Sequence, residues 1–277
     1  MTLANAAASA SVISKFRREV WAYWKKHGRH DLPWRKTKDP YKIIVSEVML
    51  QQTQVHRVIG KYGEFLERFP NVRALARAEL SDVLKMWSGL GYNRRAKYLK
   101  DAARHIVDEN GGRVPKAVIL LQKLPGVGPY TASAVRVFAF NLPDILIETN
   151  VRAVFIHEFF NDKKKVSDAQ ITPLAHEAAE GQDPRLWHAA LMDYGVHIKK
   201  FHQNPTRKSA HHGMQTPFDG SLRQVRGAVL KLLHMGSHGD LALAKKLSFE
   251  QSYIHKALEG LKKDGLVTND RGVWQIS

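Results

Sequence analysis

The sequence predicts an all-α fold that ends in a small domain with a terminal β-hairpin. Apolar residues recur at helical spacing in successive segments, as Val12, Phe16 and Val20 do in the first of them. Strand signals are almost absent before residue 265, and short breaks that contain Gly or Pro separate several of the segments. The chain is therefore interpreted as a series of amphipathic helices.

The helices follow one another in order. The first is predicted over 12–27. Asp39 and Pro40 offer a capping acceptor and a first-turn proline, which predict the start of the second helix. This helix is predicted to run from Tyr41 to about Ile59. The other helices of the body are predicted over 73–78, 80–87, 94–110, 117–123, 130–140, 151–160, 171–180 and 184–194.

The composition changes after the helical body. From about residue 195 to 220 it is polar and basic, which predicts a linker or extended loop. Three short helices (221–235, 241–247, 251–263) and two short strands (266–268, 273–276) follow. Three helices and a terminal hairpin are the outline of a winged helix. We predict a body over 1–200, a basic linker over 201–220 and a winged-helix-like domain over 221–277.

Composition limits the classes of function. Lys and Arg total 43 against 26 Asp and Glu, a formal net charge of +17, which favours a polyanionic partner such as nucleic acid. The chain has no cysteine, which excludes disulfides, thiolate nucleophiles, iron–sulfur clusters and cysteine-bound zinc. Residues 1–10 lack the pattern of a secretory signal, and no apolar run is long enough to span a bilayer. We expect a soluble, cytoplasmic protein.

Three features carry possible chemistry. Glu47 lies in an apolar segment with Gln51 and Gln54 at helical spacing, so its carboxylate is poorly solvated and suited to donate a proton. The alternative is the surface of an amphipathic helix. The Leu124–Gly128 turn before a helix offers backbone N–H groups to a phosphate, or merely connects two packed helices. Glu148, at a helix start, is a cap by default.

These features occur together with further motifs over about residues 31–200. The motifs are Leu32-Pro33-Trp34, Asp39-Pro40-Tyr41, the run from Ser46 to Val55, Gly89 to Tyr92, Arg95-Ala96, Leu124 to Thr131, Asn150-Val151 and Leu191 to Gly195. With them the chain resembles the helix-hairpin-helix (HhH-GPD) glycosylases, and within these most the MutY-type adenine DNA glycosylases. The resemblance implies the helix-hairpin-helix DNA glycosylase fold, with a helical barrel over about 36–145.

The resemblance implies roles for four catalytic residues. Glu47 matches the glutamate that protonates the departing adenine. Glu148 stands where the family has the aspartate that stabilises the cationic sugar, and its side chain is one methylene longer; Asp144 is the fallback. Asn150 keeps the register beside Glu148. Tyr130 stands where the enzymes that also cut the backbone have a nucleophilic lysine, so a monofunctional glycosylase is expected.

The family resemblance also implies contacts with DNA, from which the target nucleotide must be flipped out. Gln52 and Thr53 match the region that wedges the base stack, and Tyr92 either joins them or simply packs. The predicted DNA-binding residues are Gln51, Gln52, Thr53, Tyr92, Arg95, Gly126, Val127, Gly128 and Thr131.

The chain departs from the family in two segments. The family holds a [4Fe–4S] cluster on four cysteines, and here the segment from His197 to Gln215 takes that place, so no cofactor is expected. A zinc site of His197, His202, His211 and His212 is conceivable. A flexible, DNA-facing loop with Lys199, Lys200, Arg207 and Lys208 as phosphate ligands is favoured over it.

The family commonly ends in a Nudix-like domain that recognises 8-oxoguanine. The predicted winged helix stands there instead, to bind DNA through Tyr253, His255, Lys256, Lys262 and Lys263 or to dock a protein.

The leading functional prediction is a monomeric adenine glycosylase of base excision repair. It acts on double-stranded DNA in which adenine is mispaired with 8-oxoguanine or guanine. The alternatives are a glycosylase for T·G or U·G mismatches and a DNA-binding protein without catalysis. The run around Glu47 favours adenine, because thymine offers no comparable ring nitrogen to protonate.

Overall fold

A computed structural model describes residues 10–213 and 217–277 of the chain. The prediction that residues 1–10 carry no secretory signal falls almost wholly on residues 1–9, which lie outside the described part. The helices of the described part are α1 Ala10–His27, α2 Pro40–Leu50, α3 Val55–Arg68, α4 Val72–Arg77, α5 Leu80–Trp87, α6 Arg94–Asn110, α7 Val118–Gln122, α8 Pro129–Phe140, α9 Thr149–Phe159, α10 Asp168–Ala179, α11 Pro184–Phe201, α12 Leu222–Leu233, α13 Asp240–Lys246 and α14 Gln251–Lys263. Short 3-10 helices span Pro33–Arg35 and Pro205–Lys208, and the strands are β1 His238–Gly239, β2 Val267–Asp270 and β3 Val273–Ile276.

The fold is mostly helical, as predicted, and its contacts divide the chain into two compact units. The first unit comprises Met1–Pro40 and Gly128–Met214, and the second comprises Tyr41–Val127 and Gln215–Ser277. Each unit is therefore built from two separate stretches of sequence. The predicted linker over 201–220 includes residues 214–216, which the structure does not describe, and the three-part division of the chain stays a prediction.

The core of the first unit is aromatic and aliphatic. Phe16 of α1 packs against Phe155 of α9, with ring centroids 5.5 Å apart, and against Trp187 of α11 at 5.9 Å. All three side chains are buried. Aromatic side chains bury the largest apolar areas available to a core, so this cluster fixes α1, α9 and α11 against one another.

A buried ion-pair cluster adds to this core. Asp193 of α11 is 2% exposed and accepts hydrogen bonds from the backbone N–H of Arg29 at 2.8 Å and from its Nε at 2.6 Å. Arg35 donates to the same carboxylate from Nη1 at 2.6 Å and Nη2 at 2.9 Å. The chain between α1 and α2 is thereby tied to α11.

In the second unit, one predicted helix is two. The sequence predicted a single helix from Tyr41 to about Ile59, whereas α2 ends at Leu50 and α3 begins at Val55. Gln52 between them has a φ of 53°, which no helix accommodates. The prediction was wrong because Glu47, Gln51 and Gln54 keep helical spacing across the break. Gln51, Gln52 and Thr53 consequently lie in a loop.

The C-terminal residues of the second unit form a winged-helix-like domain, as predicted. Helices α12, α13 and α14 accompany a three-stranded antiparallel sheet in the order β1-β3-β2. Helix α14 has the predicted bounds. Strand β1 was not predicted, because two residues are too short for a periodic signal. Ile254, Leu258 and Trp274 are among the buried residues of this domain.

The segment expected to be a flexible loop has regular structure over much of its described part. Helix α11 continues to Phe201, and the 3-10 helix from Pro205 places Pro205 and Thr206 in buried positions. Val166 then pairs with Ser209: its N–H donates to Lys208 O, and its carbonyl accepts from Ala210 N, both at 2.8 Å. The polar composition of the segment suggested a loop. Its backbone is instead held by hydrogen bonds, such as those of Val166, which an apolar pattern does not show.

In the part of the chain that the structure describes, no helix is both long and apolar enough to pass through a bilayer.

Candidate functional site

Glu47 lies on α2, a helix of the second unit that is mostly buried. Seven of the 11 residues of α2 are buried, including Ser46 and Val48 on either side of Glu47. Glu47 itself is half-buried. An amphipathic surface helix would instead carry a continuous polar face. The structure therefore places Glu47 between buried neighbours on a helix without a continuous polar face, and its role as the acid stays a prediction.

The loops that follow α2 and precede α6 carry the predicted wedge residues. Gln52 and Tyr92 are exposed and both have positive φ, at 53° and 47°. Thr53 donates to the Gln51 carbonyl at 3.2 Å, which fixes its side chain within the loop. Non-glycine residues with positive φ are uncommon, and such strain collects at functional sites. The loops thus present two exposed side chains on a strained, well-defined backbone.

Arg95 holds these two loops rather than facing outwards. Its guanidinium is buried and donates to the carbonyls of Val48, Met49, Gln51, Leu90 and Gly91, at 2.6 to 3.2 Å. Burial lowers the pKa of Arg95 to about 10. Its two Nη atoms bond the end of α2 and the 89–92 turn, so Arg95 positions the loops that carry Gln52 and Tyr92. The contact of Arg95 with DNA stays a prediction.

The turn between α7 and α8 has the geometry of a tight hairpin. Gly126 has a φ of 75°, and a Cβ atom there would lie 2.8 Å from that of Tyr98, so the position requires glycine. Gly126 and Gly128 are exposed, whereas the side chains of Val127 and Thr131 are buried. The predicted contacts of Val127 and Thr131 with DNA would therefore run through backbone groups.

Glu148 in the first unit caps helix α9. Its Oε1 accepts from the N–H groups of Asn150 at 2.7 Å and Val151 at 3.0 Å, which is the default role expected at a helix start. Burial raises the pKa of the Glu148 carboxyl above its ordinary value, and the hydrogen bonds from Val151 and Asn150 lower it without outweighing burial. A cap and a poorly solvated carboxylate thus coincide in one side chain.

Asn150 orients the other carboxylate oxygen. Its Nδ2 donates to Oε2 of Glu148 at 3.1 Å, and this hydrogen bond assigns the nitrogen and oxygen ends of the amide. Its Oδ1 is buried, with no hydrogen-bond partner within the described residues. A buried acceptor without a partner is costly, and it is found where a ligand or ordered water completes the bonding. Asn150 therefore joins the Glu148 carboxylate to a second buried acceptor.

Two cations that sequence reasoning did not connect with Glu148 interact with its carboxylate. Arg152 of α9 forms a bidentate ion pair with Asp168 (both N···O distances 2.7 Å), which raises the pKa of Arg152, with smaller contributions from Glu148 and Tyr130. Lys199, predicted as a phosphate ligand, is half-buried. Burial lowers the pKa of Lys199, and the charge of Glu148 opposes this.

Lys199 lies beyond the predicted end of its helix at 194, because α11 continues to Phe201. Gly195 and Lys199 are four residues apart on α11, so they lie on one helix face. Gly195 packs directly on the backbone of Asn150, which places the next turn of α11 near Glu148. Elsewhere in this unit, Tyr130 is exposed in the first turn of α8, and Asp144 is paired with Arg136 at 2.8 Å; the roles predicted for both stay predictions.

The raised pKa of Glu148 predicts a pH-dependent cost in stability. Between the ordinary glutamate pKa and the raised value, the folded chain binds more protons than the unfolded chain, so stability falls as pH rises. Glu148→Gln removes this cost. We expect its melting temperature to exceed that of the wild type at pH 7, and the gain to vanish as pH falls below the ordinary glutamate pKa of about 4.3. Calorimetry across this range tests the prediction, with exposed Glu109→Gln as control; a gain independent of pH contradicts it.

The contact of Gly195 with Asn150 predicts that any side chain there is harmful. A Cβ atom at Gly195 would lie 2.2 Å from the Asn150 carbonyl oxygen, a backbone atom that cannot move aside. Gly195→Ala should cost about 1–3 kcal/mol of unfolding free energy, the usual range for overpacking. Gly63→Ala on α3 is the matched control, because its Cβ would meet nothing within 4 Å. Equal denaturant midpoints for the two variants would refute the clash.

The segment at the place of the family's cluster offers no thiolate, so a [4Fe–4S] cluster does not fit this chain. The described histidines of the segment contact different neighbours. The ring centroid of His197 lies 4.7 Å from that of Tyr23, and that of His202 lies 4.5 Å from that of His157, both pairs tilted. His211 Nε2 lies 3.7 Å from Asp168 Oδ2. Within the described residues no three metal-binding side chains of the His, Cys, Asp or Glu type converge.

Comparison with known proteins gives a family match and several relatives. Residues 45–180 match the HhH-GPD superfamily of base excision DNA repair proteins. The chain is 37% identical over 181 residues to the adenine DNA glycosylase of Buchnera aphidicola, which covers 63% of this chain and 50% of that protein. It is 46% identical over 132 residues to the adenine DNA glycosylase of Mycolicibacterium smegmatis, a match that covers 47% of this chain and 45% of that protein. It is also 40% identical over 140 residues to the thymine-DNA glycosylase of Aeropyrum pernix, covering 50% and 63%.

Solved structures share the architecture. A thermostable thymine-DNA glycosylase aligns with a TM-score of 0.59 at 28% identity, covering 67% of this chain and 87% of that one. An endonuclease III bound to DNA shares the fold, with a TM-score of 0.56 at 18% identity, covering 75% and 89%. The chain spans half or less of the length of the adenine glycosylases named above. Residues 45–180 thus match the HhH-GPD superfamily of base excision DNA repair proteins in sequence, and a thymine-DNA glycosylase structure shares the fold.

Proposed function

We propose that this protein is a DNA glycosylase that removes adenine mispaired with 8-oxoguanine or guanine. The observation that carries the proposal is the half-buried Glu47 in a mostly buried helix, in the sequence context that resembles adenine glycosylases. The similarity to the adenine glycosylases of Buchnera and Mycolicibacterium supports the same choice of base. The net charge of +17 suits a DNA partner. We further propose that the protein acts as a cytoplasmic monomer.

The proposed chemistry assigns one task to each carboxylate. Glu47 donates a proton to the departing adenine, because a neutral base leaves deoxyribose more easily than an anion does. Glu148, oriented by Asn150, stabilises the positive charge that develops on the sugar as the bond breaks. Water then adds to the sugar and leaves an abasic site. Tyr130 supplies no amine for a Schiff base, so the backbone stays intact.

A second candidate is removal of thymine or uracil from mispairs with guanine. The similarity to the Aeropyrum thymine-DNA glycosylase and to a thermostable thymine-DNA glycosylase structure favours it. Tyr130 is compatible with either activity. The two candidates differ in the need for an acid. Thymine offers no ring nitrogen comparable to those of adenine, so Glu47 would have no group to protonate.

One assay separates the candidates. Duplexes that contain A·8-oxoG, A·G, T·G or U·G are incubated with the protein and then treated with hot alkali, which breaks strands at abasic sites. We expect breaks at adenine only, and only after alkali. Breaks at thymine or uracil would establish the second candidate, and breaks without alkali would contradict the monofunctional assignment. No breaks in any duplex would indicate a DNA-binding protein without catalysis.

The proposal requires no cofactor, and no step runs through a metal. In the sequence segment that stands where the family has its cluster cysteines, the 3-10 helix at Pro205 packs on α9. Because α9 begins with the residues that follow Glu148, this packing supports the position of the carboxylate. Full glycosylase activity in the presence of metal chelators is the expected result.

A further inference from the structure

Glu148 needs a negative charge for the task proposed above, although its surroundings favour the neutral acid. Burial raises its pKa, because a charge loses the solvation of water there. The N–H groups of Val151 and Asn150 favour the charged form but do not outweigh burial. An opposite charge near the carboxylate is the remaining factor that favours ionisation.

Two cations in these surroundings are bound to other carboxylates. Arg152 of α9 donates two hydrogen bonds to Asp168, both at 2.7 Å. Arg29, before α2, pairs with Asp193 at 2.6 Å between Nη2 and Oδ1. Among the described residues, Glu148 itself forms no ion pair, and its hydrogen bonds come from neutral donors. Neither arginine is therefore the direct partner of Glu148.

Lys199 lacks such a partner. Among the described residues it donates no hydrogen bond and forms no ion pair, and its electrostatic neighbours are Glu148 and Arg29. A half-buried ammonium is costly unless an opposite charge compensates for the lost water. Arg29 carries the same charge and cannot compensate, whereas Glu148 can. Lys199 and Glu148, each without a bonded counterion, are thus opposite charges for one another.

Helix packing brings these two charges together. Gly195 of α11 lies against the backbone of Asn150, where a Cβ atom would be 2.2 Å from the carbonyl oxygen. Lys199 follows one turn later on the same face of α11, close to the end of this helix at Phe201. Glu148 is the N-cap of α9 and precedes Asn150 by two residues. The C-terminal end of α11 therefore brings a cation to the anion at the N-terminal end of α9.

We propose that Lys199 is a positioning residue for base release, whose ammonium keeps Glu148 ionised without contacting the substrate. The inference rests on the proposed function and deepens it, since it names the group that maintains the charge beside the sugar. Burial is the largest influence on both pKa values, and each charge opposes it at the other group. Lys199 lowers the pKa of Glu148, and Glu148 raises the pKa of Lys199. Tyr130 of α8 and Arg152 of α9 also belong to these surroundings.

The first test needs no DNA. The melting temperature of Glu148→Gln relative to its parent is followed from about pH 3 to about pH 9, in the wild type and in Lys199→Met. Between the ordinary pKa of glutamate, about 4.3, and the folded pKa of Glu148, this difference grows with pH. Lys199→Met removes the opposite charge and keeps an apolar stem, so the growth should continue to higher pH and reach a larger value. Lys25→Met, which changes an exposed lysine of α1, should leave the difference at its wild-type value.

The second test is the pH profile of base release. Single-turnover release of adenine from an A·8-oxoG duplex requires a protonated Glu47 and an ionised Glu148, which gives a bell-shaped profile. Lys199→Met should move the acidic limb to higher pH and leave the alkaline limb in place, so that the loss is confined to the acid side. Lys199→Arg keeps the charge and should restore the wild-type limb. A merely structural role would lower the rate equally across the profile.

The outcomes separate this inference from the proposed function. An unchanged pH dependence of the Glu148→Gln difference in Lys199→Met overturns the role of Lys199, even if base release is normal. A shifted dependence in a protein that releases no base from any duplex supports the action of Lys199 on Glu148 and refutes the glycosylase. Should Lys199→Met lose its cooperative melting transition, Lys199→Gln takes its place with the same expected results.

Phosphate binding by Lys199, as expected from the sequence, is the competing role. Its signature is a lower affinity for a duplex with a reduced abasic site, which the protein cannot cleave, together with a rate that falls equally at all pH values. This result would overturn the inference. Wild-type affinity combined with a shifted acidic limb would support it.

Discussion

Glu47→Gln is expected to reduce base release by about 10²–10⁴-fold, the usual contribution of a positioned proton donor. Glutamine has the same shape as glutamate but has no acidic proton to give. Because the flanking residues of α2 are buried, a change that preserves volume should leave the helix in place. Single-turnover excision from an A·8-oxoG duplex measures the loss directly.

The binding step separates catalysis from folding in this variant. Affinity for a duplex with a reduced abasic site should stay close to that of the wild type. The substitution keeps the shape of a half-buried side chain and removes no cation that could bind a phosphate. Glu67→Gln, an exposed glutamate on α3, is the matched control and should keep full turnover. Turnover retained in Glu47→Gln would refute the role of Glu47 as the acid. It would also favour thymine or uracil as the target base.

Local patterns predicted much of this fold. The bounds of α14 are as predicted, because Ile254, Leu258 and Leu261 repeat at helical spacing and are all buried. The tight turn at Gly126 was likewise evident in the sequence, since glycine is the residue that tolerates a φ of 75° beside Tyr98. Both features depend on neighbouring residues or on the conformation of a single residue.

The break between α2 and α3 could not be predicted from local patterns. It is held by Arg95, whose guanidinium bonds the carbonyl of Gln51 across 44 residues of sequence. Helical spacing continues through the break, so no residue near Gln51 indicates that the helix ends there. The same limit applies to the candidate site around Glu148. Arg152 is close in sequence, but the placement of Lys199 depends on how closely α11 approaches Asn150.

Asp193→Ala is expected to give the largest loss of stability, about 3 kcal/mol or more. The substitution leaves Arg35, which is 15% exposed, without its carboxylate, and an uncompensated buried charge typically costs 3–5 kcal/mol. Arg29 is 33% exposed and adds less, because water can solvate it. For a chain of this size, a loss of 3 kcal/mol lowers the melting temperature by roughly 6–12 °C.

The control and the pH dependence identify the cause of this loss. Asp82→Ala removes a surface pair with Arg68, whose side chains are 45% and 59% exposed, and should cost no more than about 1 kcal/mol. Burial acts to raise the pKa of Asp193, but the hydrogen bonds and charges of Arg35 and Arg29 outweigh it and hold this pKa below its ordinary value. The stabilisation is therefore complete above the ordinary aspartate pKa of about 3.9 and is lost as pH falls through the lowered value. A difference between wild type and Asp193→Ala that persists unchanged well below pH 3 would show that lost packing, and not the ion pair, ties the segment before α2 to α11.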